Sequence, residues 1–406
     1  MVHAKSKELI QISDSFYPLA SSTWDSEEFR AMQEVIDSGK FTMGDLVRKY
    51  ESDFSEYIGS KYAVMTNSGS SANLVMMAAA KYFSGSQLKD GDSIIVPAVS
   101  WSTTYYPIHQ LGFEISLVDI DMETLNIDCE EVEKSITSNT KCIFAVNLLG
   151  NPADLNKLRE LAEANNLILF EDNCESLGSK LGNRFSGTFG KAGTFSSFFS
   201  HHISTMEGGI TVTDDIALYE AMISLRAHGW TRELPMKNSV HNKQGEDWED
   251  YFRFVLPGYN LRPLELEGAL GITQLRKLEN FVDQRRKNAL YLMNRAKSFS
   301  FFRFQKEFGY SSWFGFSILL TGPLQGKRKL LIESLKTSGI ESRPIVAGNF
   351  ARNPVMKHLR HSTIPDLPNA NFIHENGLFV GNHHFPIESQ LDRLCNVLEE
   401  FESANA

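Results

Sequence analysis

Short apolar runs that alternate with helical patterns dominate residues 60–215, and this alternation constrains the fold more than any other feature. The runs are YAVMT (62–66), SIIVP (93–97), CIFAV (142–146), LILFED (167–172), GTFSSF (193–198) and ITVT (210–213). Helical patterns follow several of them, as in residues 71–83 and 153–165. Strands that alternate with helices predict an α/β fold, with a mainly parallel sheet between helices.

The remainder of the chain predicts a second, smaller unit. A long helical pattern at about 263–298 leads to residues 299–406, which have their own strand, helix and turn signals. We therefore predict a large domain at 1–280, and the linking helix with a small C-terminal domain at 281–406. Residues 231–258 are polar and lack periodicity, which predicts a long loop of the kind that is usually functional.

Composition and charge exclude several classes of protein. The net charge is −10 and no basic stripe is present, so binding to nucleic acid or to an anionic membrane is not expected. The apolar runs are too short to span a bilayer, and the polar N-terminus lacks the apolar core of a signal peptide. The four cysteines are scattered and form no CxxC pair. Together these features predict a cytoplasmic protein.

Three motifs could build a ligand site at the ends of strands. The small residues of NSGSSAN (67–73) suit an anion at a helix N-terminus, or simply an ordinary serine-rich cap. Trp101 follows a strand and could stack on a flat ring, although such aromatics more often belong to the core. Asp172 ends an apolar strand, where it could pair with a protonated pyridine nitrogen or cap a helix.

Two further motifs are ambiguous in isolation. The adjacent histidines of FSSFFSHHISTMEGG (195–209) match no zinc pattern, and a structural role is the default interpretation. In GYNLR (258–262), Asn260 and Arg262 precede a helix, where they suit phosphate or subunit contacts, or simple capping.

The order and spacing of the five motifs resemble the DegT/DnrJ/EryC1/StrS sugar aminotransferase family of pyridoxal phosphate (PLP) enzymes. The resemblance covers roughly residues 20–400. It implies PLP-dependent fold type I, like aspartate aminotransferase: a large α/β domain with a mixed, mainly parallel sheet, and a smaller C-terminal α+β domain. It also implies a homodimer with shared active sites.

The resemblance assigns a role to each motif residue. It implies that Trp101 stacks on the cofactor ring, Asp172 pairs with the ring nitrogen, and Glu175 reaches the ring hydroxyl. The resemblance also implies that Asn260 is lent across a dimer interface to the partner's phosphate site. The implied phosphate-binding residues are Gly69, Ser70, Ser71 and Ser196.

One departure from the family pattern bears on the reaction. Counting back from Glu207, His201 stands where the family has its Schiff-base lysine, and Lys191 lies ten residues too early. Because imidazole cannot replace that lysine, the resemblance implies non-covalent cofactor with pyridoxamine phosphate (PMP) as the resting form. The lysine-less members remove the C3 hydroxyl of nucleotide-linked 4-keto-6-deoxy sugars in lipopolysaccharide O-antigen synthesis. His201, expected to titrate near neutral pH, would be the base and acid.

The resemblance also suggests the remaining partners. Residues 226–260 contain no cysteine, which favours the branch without an iron–sulfur cluster, in which L-glutamate regenerates PMP. A GDP-linked sugar is favoured by resemblance alone. His228 and Arg343 are candidate substrate-binding residues, although both could be structural. Two alternatives stay open: a sugar aminotransferase that uses another lysine, and a silent ligand-binding homologue.

Overall fold

The computed structural model describes residues 15–86, 88–243 and 248–406. The polar N-terminal segment and part of the predicted 231–258 loop therefore lie outside the described residues. The helices are α1 (Ser26–Ser38), α2 (Asp45–Ile58), α3 (Gly69–Tyr82), α4 (Ser102–Gln110), α5 (Cys129–Ser135), α6 (Leu155–Ala164), α7 (Ile216–Arg226), α8 (Glu265–Arg295), α9 (Arg328–Thr337), α10 (Pro368–Asn376) and α11 (Glu388–Asn405). The strands are β1 (Tyr62–Thr66), β2 (Ser93–Pro97), β3 (Glu114–Val118), β4 (Thr140–Val146), β5 (Ile168–Asp172), β6 (Lys180–Leu181), β7 (Arg184–Phe185), β8 (Ala192–Ser196), β9 (Gly209–Thr213), β10 (Phe302–Arg303), β11 (Gly315–Leu320) and β12 (Gly377–Gly381).

A seven-stranded sheet forms the centre of the large unit, in the order β1-β9-β8-β5-β4-β2-β3. Strands β3, β2, β4, β5 and β8 run parallel, and β9 runs antiparallel to both of its neighbours. The six predicted strands are all present, and the sheet is mixed and mainly parallel as predicted.

Helices cover both faces of this sheet. On one face, α3, α4 and α7 pack their buried apolar side chains against the strands, as Met76, Ile108 and Leu218 do around Phe144. On the other face, α5 and α6 bury Val132 and Leu158. Because both faces are covered, the central strands direct apolar side chains to both faces, and the resulting apolar runs made them visible in the sequence.

The C-terminal unit is built on a three-stranded antiparallel sheet, β10-β11-β12. The end of α8 together with α9 and α11 covers this sheet around a separate apolar core. Tyr17, near the start of the described chain, is buried in the same core and donates a 2.5 Å hydrogen bond to the Gly381 carbonyl. Within the described residues, no helix is long and apolar enough to cross a membrane.

The parallel strands place their carboxyl ends along one edge of the large sheet. The turns after β1, β2, β4, β5 and β8 therefore meet at this edge, which is where ligand sites of α/β proteins form.

Candidate active site

A cavity of about 370 Å³ opens at the carboxyl edge of the large sheet. Turns from the large sheet form most of its wall, and the C-terminal unit closes one side. Eight residues predicted for the site line it: Gly69, Ser70, Trp101, Asp172, Glu175, Ser196, His201 and Arg343.

The first turn of α3 forms one end of the cavity. The Ser68 hydroxyl caps this helix by accepting a 3.1 Å hydrogen bond from the Ser71 amide. It also bonds the Ser71 hydroxyl at 2.9 Å, and Ser71 does not line the cavity. Gly69 and Ser70 do, and they bring the positive end of the helix dipole to this wall. The arrangement suits a phosphate group.

Two glycines allow this turn to lie close to the sheet. A Cβ on Gly69 would lie 2.6 Å from the Ser196 Cβ, and one on Gly209 would lie 2.1 Å from the Ser68 carbonyl oxygen. Only glycine fits at such distances. The start of α3, Ser196 and the turn at residues 207–209 therefore lie in direct contact and form one wall of the cavity.

Three donors orient the Asp172 carboxylate at the end of β5. Oδ2 accepts hydrogen bonds from the Asn73 side chain and the Thr104 hydroxyl, both at 2.8 Å, and Oδ1 accepts from the Cys174 amide at 3.1 Å. The Thr194 hydroxyl in turn donates to Asn73 at 2.6 Å. The buried carboxylate is thus fixed in one orientation at the cavity wall.

A second carboxyl group, Glu175, lies in the same cavity. Burial raises the pKa of Glu175 to about 7, and the nearby Asp172 raises it further, while a hydrogen bond from the Leu149 amide lowers it. That hydrogen bond measures 3.1 Å. Near neutral pH, Glu175 can therefore either donate or accept a hydrogen bond.

His201 lies in the turn after β8, with its ring against two aromatic rings. Its centroid is 5.2 Å from that of Phe314 and 6.0 Å from that of Phe198. Nδ1 is shielded from solvent and has no hydrogen-bond partner among the described residues. Burial, and to a smaller degree the charge of Arg285, lowers the pKa of His201 to about 4. The expectation of titration near neutral pH is therefore wrong, because the ring is desolvated.

The adjacent His202 has a different environment. It is fully buried, and its Nε2 lies 3.1 Å from the Ser312 carbonyl. The structural role that we took as the default for this histidine pair therefore describes His202, whereas His201 lines the cavity.

No lysine is among the described residues that line the cavity. The Lys191 ammonium lies 2.6 Å from the Asp215 carboxylate and above the Phe83 ring. Lys191 is therefore engaged elsewhere and is not a substitute for the missing lysine.

His228 and Asn260 do not reach the cavity of their own chain. They lie side by side, since Ala227 forms a bridge with Asn260 and the His228 amide bonds the Tyr259 carbonyl at 2.6 Å. The His228 ring packs on Trp230, and the Asn260 side chain accepts from Arg262 at 3.1 Å. We call this surface the 228–262 patch.

Sequence reasoning missed several residues around the site. Asn73 carried a signal, since an amide in an apolar helix suggests a buried hydrogen bond. Thr104 lies within a motif that we read only for its tryptophan. Phe314 comes from the C-terminal unit, and no local pattern could have placed it against His201.

The residues of the cavity fit PLP or PMP. The wall contains a helix N-terminus for a phosphate, a fixed carboxylate for a ring nitrogen, and an aromatic side chain, Trp101, that is 58% exposed. The Nδ1 atom of His201 has no hydrogen-bond partner among the described residues, so it is free to bond a ligand in the cavity.

Comparison with known proteins agrees with this geometry. The model of the DegT/DnrJ/EryC1/StrS aminotransferase family matches residues 22–399. The chain belongs to this family. The fold expected for the family, with its PLP-type large domain, is thereby confirmed.

Some members of the DegT/DnrJ/EryC1/StrS family share about half of their residues with this chain. GDP-4-keto-6-deoxy-D-mannose 3-dehydratase from Escherichia coli O55:H7 is 51% identical over 94% of this chain and 99% of its own. A crystal structure of GDP-4-keto-6-deoxymannose 3-dehydratase with a trapped PLP–glutamate geminal diamine superposes with a TM-score of 0.92, at 51% identity over 94% of this chain and 100% of its own. A His-to-Asn variant with bound GDP-perosamine gives the same values.

Proposed function

We propose that this chain is a PMP-dependent 3-dehydratase of GDP-4-keto-6-deoxymannose. The observation that carries the proposal is the imidazole of His201 in a PLP-type cavity in which no lysine is among the described lining residues. The E. coli relative of the same family, which covers nearly the whole chain, bears the name of this activity.

The cavity residues would hold the cofactor without a covalent bond. The start of α3 and Ser196 would bind its phosphate, Trp101 its ring face, Asp172 its ring nitrogen and Glu175 its ring hydroxyl. When bound, the pyridine ring of the cofactor supplies an electron sink for the reaction. The donors to Asp172 keep the carboxylate aimed at one point, and the aromatic rings beside His201 exclude water.

His201 would serve as the base and then as the acid. Because burial keeps the imidazole neutral, it can accept a proton on a ring nitrogen. It can then return that proton to the hydroxyl that leaves sugar C3. A lysine at this position would complete amine transfer instead, so the imidazole favours dehydration.

Glutamate is the proposed amino donor. The PLP–glutamate adduct in the solved relative supports this proposal, and Arg343 is the exposed cation at the cavity that could bind a glutamate carboxylate or a substrate phosphate. In the net reaction, glutamate and the sugar give 2-oxoglutarate, ammonia and the 3-deoxy-4-keto sugar.

A homodimer with shared sites completes the proposal. Asn260, whose predicted role is at a partner's phosphate site, lies with His228 on the 228–262 patch, away from the cavity of its own chain, and this placement supports a site shared between two chains. Large aromatic side chains near this patch are exposed, including Phe252 at 60% and Phe254 at 58%. Exposed apolar groups of this size favour an interface between subunits.

The test is incubation with PLP, L-glutamate and a panel of GDP-, CDP- and UDP-linked 4-keto-6-deoxy sugars. We expect 3-deoxy sugar, 2-oxoglutarate and ammonia in equal amounts, and fastest turnover with the GDP-linked mannose derivative. An amino sugar with 2-oxoglutarate but no ammonia would instead show an aminotransferase. No reaction with any sugar, despite bound cofactor, would favour a silent homologue.

A further inference from the structure

Arg285, on α8, is a buried cation without a counter-ion. Arg285 is only 4% exposed, and no carboxylate of the described residues lies within ion-pair distance of its guanidinium. Nη1 donates to the carbonyl groups of Asn382 at 2.7 Å and Phe314 at 3.1 Å, while Nε has no partner. Burial lowers the pKa of Arg285 to about 10. A buried charge that lacks an opposite charge is destabilising, so its presence suggests a role beyond packing.

The hydrogen bonds of Arg285 lead directly to the active site. The Phe314 carbonyl that accepts from Arg285 belongs to the residue whose ring packs on His201. The Asn382 side chain donates to the carbonyl groups of Arg285 and Trp313, at 3.0 and 2.9 Å. Arg285 and Asn382 thus fix the turn that presents Phe314 to the imidazole.

The same turn is joined to the second titratable group of the cavity. The Phe314 amide donates to the Leu149 carbonyl at 3.0 Å, and the Leu149 amide donates to Glu175 at 3.1 Å. One chain of hydrogen bonds therefore runs from Arg285 through Phe314 and Leu149 to Glu175.

Charges face His201 from several elements. The ring of the neighbouring His202 also packs on Phe314, and the pKa of His202 is held well below the usual value, first by burial and then by Arg285. The other charged or titratable residues around the cavity are Asp172, Cys174, Glu175, Glu207 and Arg343. After burial, the cause that lowers the pKa of His201 most is the charge of Arg285, which lies outside the cavity lining.

We propose that Arg285 is a positioning residue for His201: its hydrogen bond fixes the turn that places Phe314 against the imidazole, and it adds an uncompensated positive charge to the surroundings of that ring. The proposal rests on the proposed dehydratase function, which requires a neutral base, and it adds a residue that does not line the cavity.

The test compares Arg285→Gln with Arg285→Lys in the full-length protein, with and without bound PMP. Gln removes the charge and, because its side chain ends where Nε of arginine lies, also gives up the hydrogen bonds of Nη1, whereas Lys keeps the charge. Arg276→Gln is the matched control, because Arg276 lies on the same helix with its side chain 62% exposed. The readout is the His201 ring signal in an NMR titration of ¹⁵N-histidine-labelled protein from pH 4 to 8, assigned by its loss in His201→Asn.

In the wild type, in Arg276→Gln and in Arg285→Lys, we expect the His201 signal to stay in its neutral form down to about pH 5. In Arg285→Gln the midpoint should move to higher pH by about half a pH unit or more, because a repelling charge is gone. The acid limb of kcat should move in the same direction, with a smaller change in KM.

Equal midpoints in Arg285→Gln and the wild type would overturn the proposal. If Arg285→Gln does not fold, by near-ultraviolet circular dichroism, Arg285→Met takes its place, because it also removes the charge while keeping apolar bulk. A midpoint in Arg285→Met equal to that of the wild type would overturn the proposal. A wild-type midpoint in the ordinary histidine range overturns it. The titration uses no sugar, so a wild type that makes no 3-deoxy product would refute the proposed function without affecting the titration result.

Discussion

The two histidines at 201 and 202 show how one residue type takes opposite roles within two positions. His202 is fully buried and bonded to a backbone carbonyl, whereas His201 lines the cavity with an unpartnered nitrogen. Residue type and local pattern could not separate them, since both lie in one polar turn. The register against Glu207 did so, because family resemblance aligns His201 with a lysine that must face the cofactor.

Replacing His201 by lysine tests that register. We expect His201→Lys to form a borohydride-reducible covalent bond to PLP, detectable by mass spectrometry, because a primary amine would then line the cavity. Dehydration should fall by about 100-fold or more, the usual loss when a general base is removed. His201→Asn is the control, with loss of activity but no covalent bond. Undiminished dehydration by His201→Lys would show that another residue is the base.

The Glu175 carboxyl predicts a pH dependence of stability in the cofactor-free protein. The pKa of Glu175 is raised to about 7 in the folded state, so the folded protein binds this proton more tightly than the unfolded chain. The associated stability is complete below about pH 4.5 and is lost as the pH rises through 7. Glu175→Gln should therefore melt a few degrees higher than the wild type at pH 8, and at the same temperature at pH 4.5. A constant difference at both pH values would contradict this explanation.

At the scale of elements, strands were easier to predict than helix ends. The strands of the large sheet are buried on both faces, so their apolar runs stand out. Helix α2 (Asp45–Ile58) has Gly44 at its N-cap, which offers no side chain, and the capping carboxylate comes from Glu265 on α8. A cap from a residue more than 200 positions away leaves no local signal in the sequence. The same reason hides Phe314 and Arg285 from sequence analysis.

Glu265 provides a prediction about this junction. Its carboxylate accepts from the amides of Gly44 at 2.6 Å and Leu46 at 2.7 Å, at the positive end of α2. Glu265→Gln removes the negative charge from the helix N-terminus and should lower the free energy of unfolding by about 1 kcal/mol. Glu279→Gln, at an exposed position of α8, is the control and should change stability little. Equal urea midpoints for the two variants would show that the cap contributes nothing.

At the scale of the whole molecule, α8 belongs to both units. Its first half packs against α1 and α2, and its end packs into the C-terminal core. The division at residue 280 stays a prediction. The core around Tyr17 shows that the start of the described chain packs with the C-terminal unit, a long-range contact that no sequence pattern indicated.

The shared dimer site yields the final prediction. If each site combines His201 of one chain with Asn260 of the other, His201→Asn and Asn260→Ala homodimers should both lose most activity. A heterodimer of the two variants, purified with two affinity tags, has one site with both changes and one intact site. Its activity should therefore be about half that of the wild-type dimer.

The activity of the heterodimer shows whether His201 shares a site with Asn260 of its own chain or with Asn260 of the other chain. If both residues served the cavity of their own chain, each site of the heterodimer would carry one change, and activity would stay as low as in the homodimers. A heterodimer of His201→Asn with a second, differently tagged His201→Asn chain controls for the tags and must stay inactive. The structure favours recovery, because Asn260 lies outside the cavity that His201 lines and bonds only to Arg262 among the side-chain contacts of the 228–262 patch.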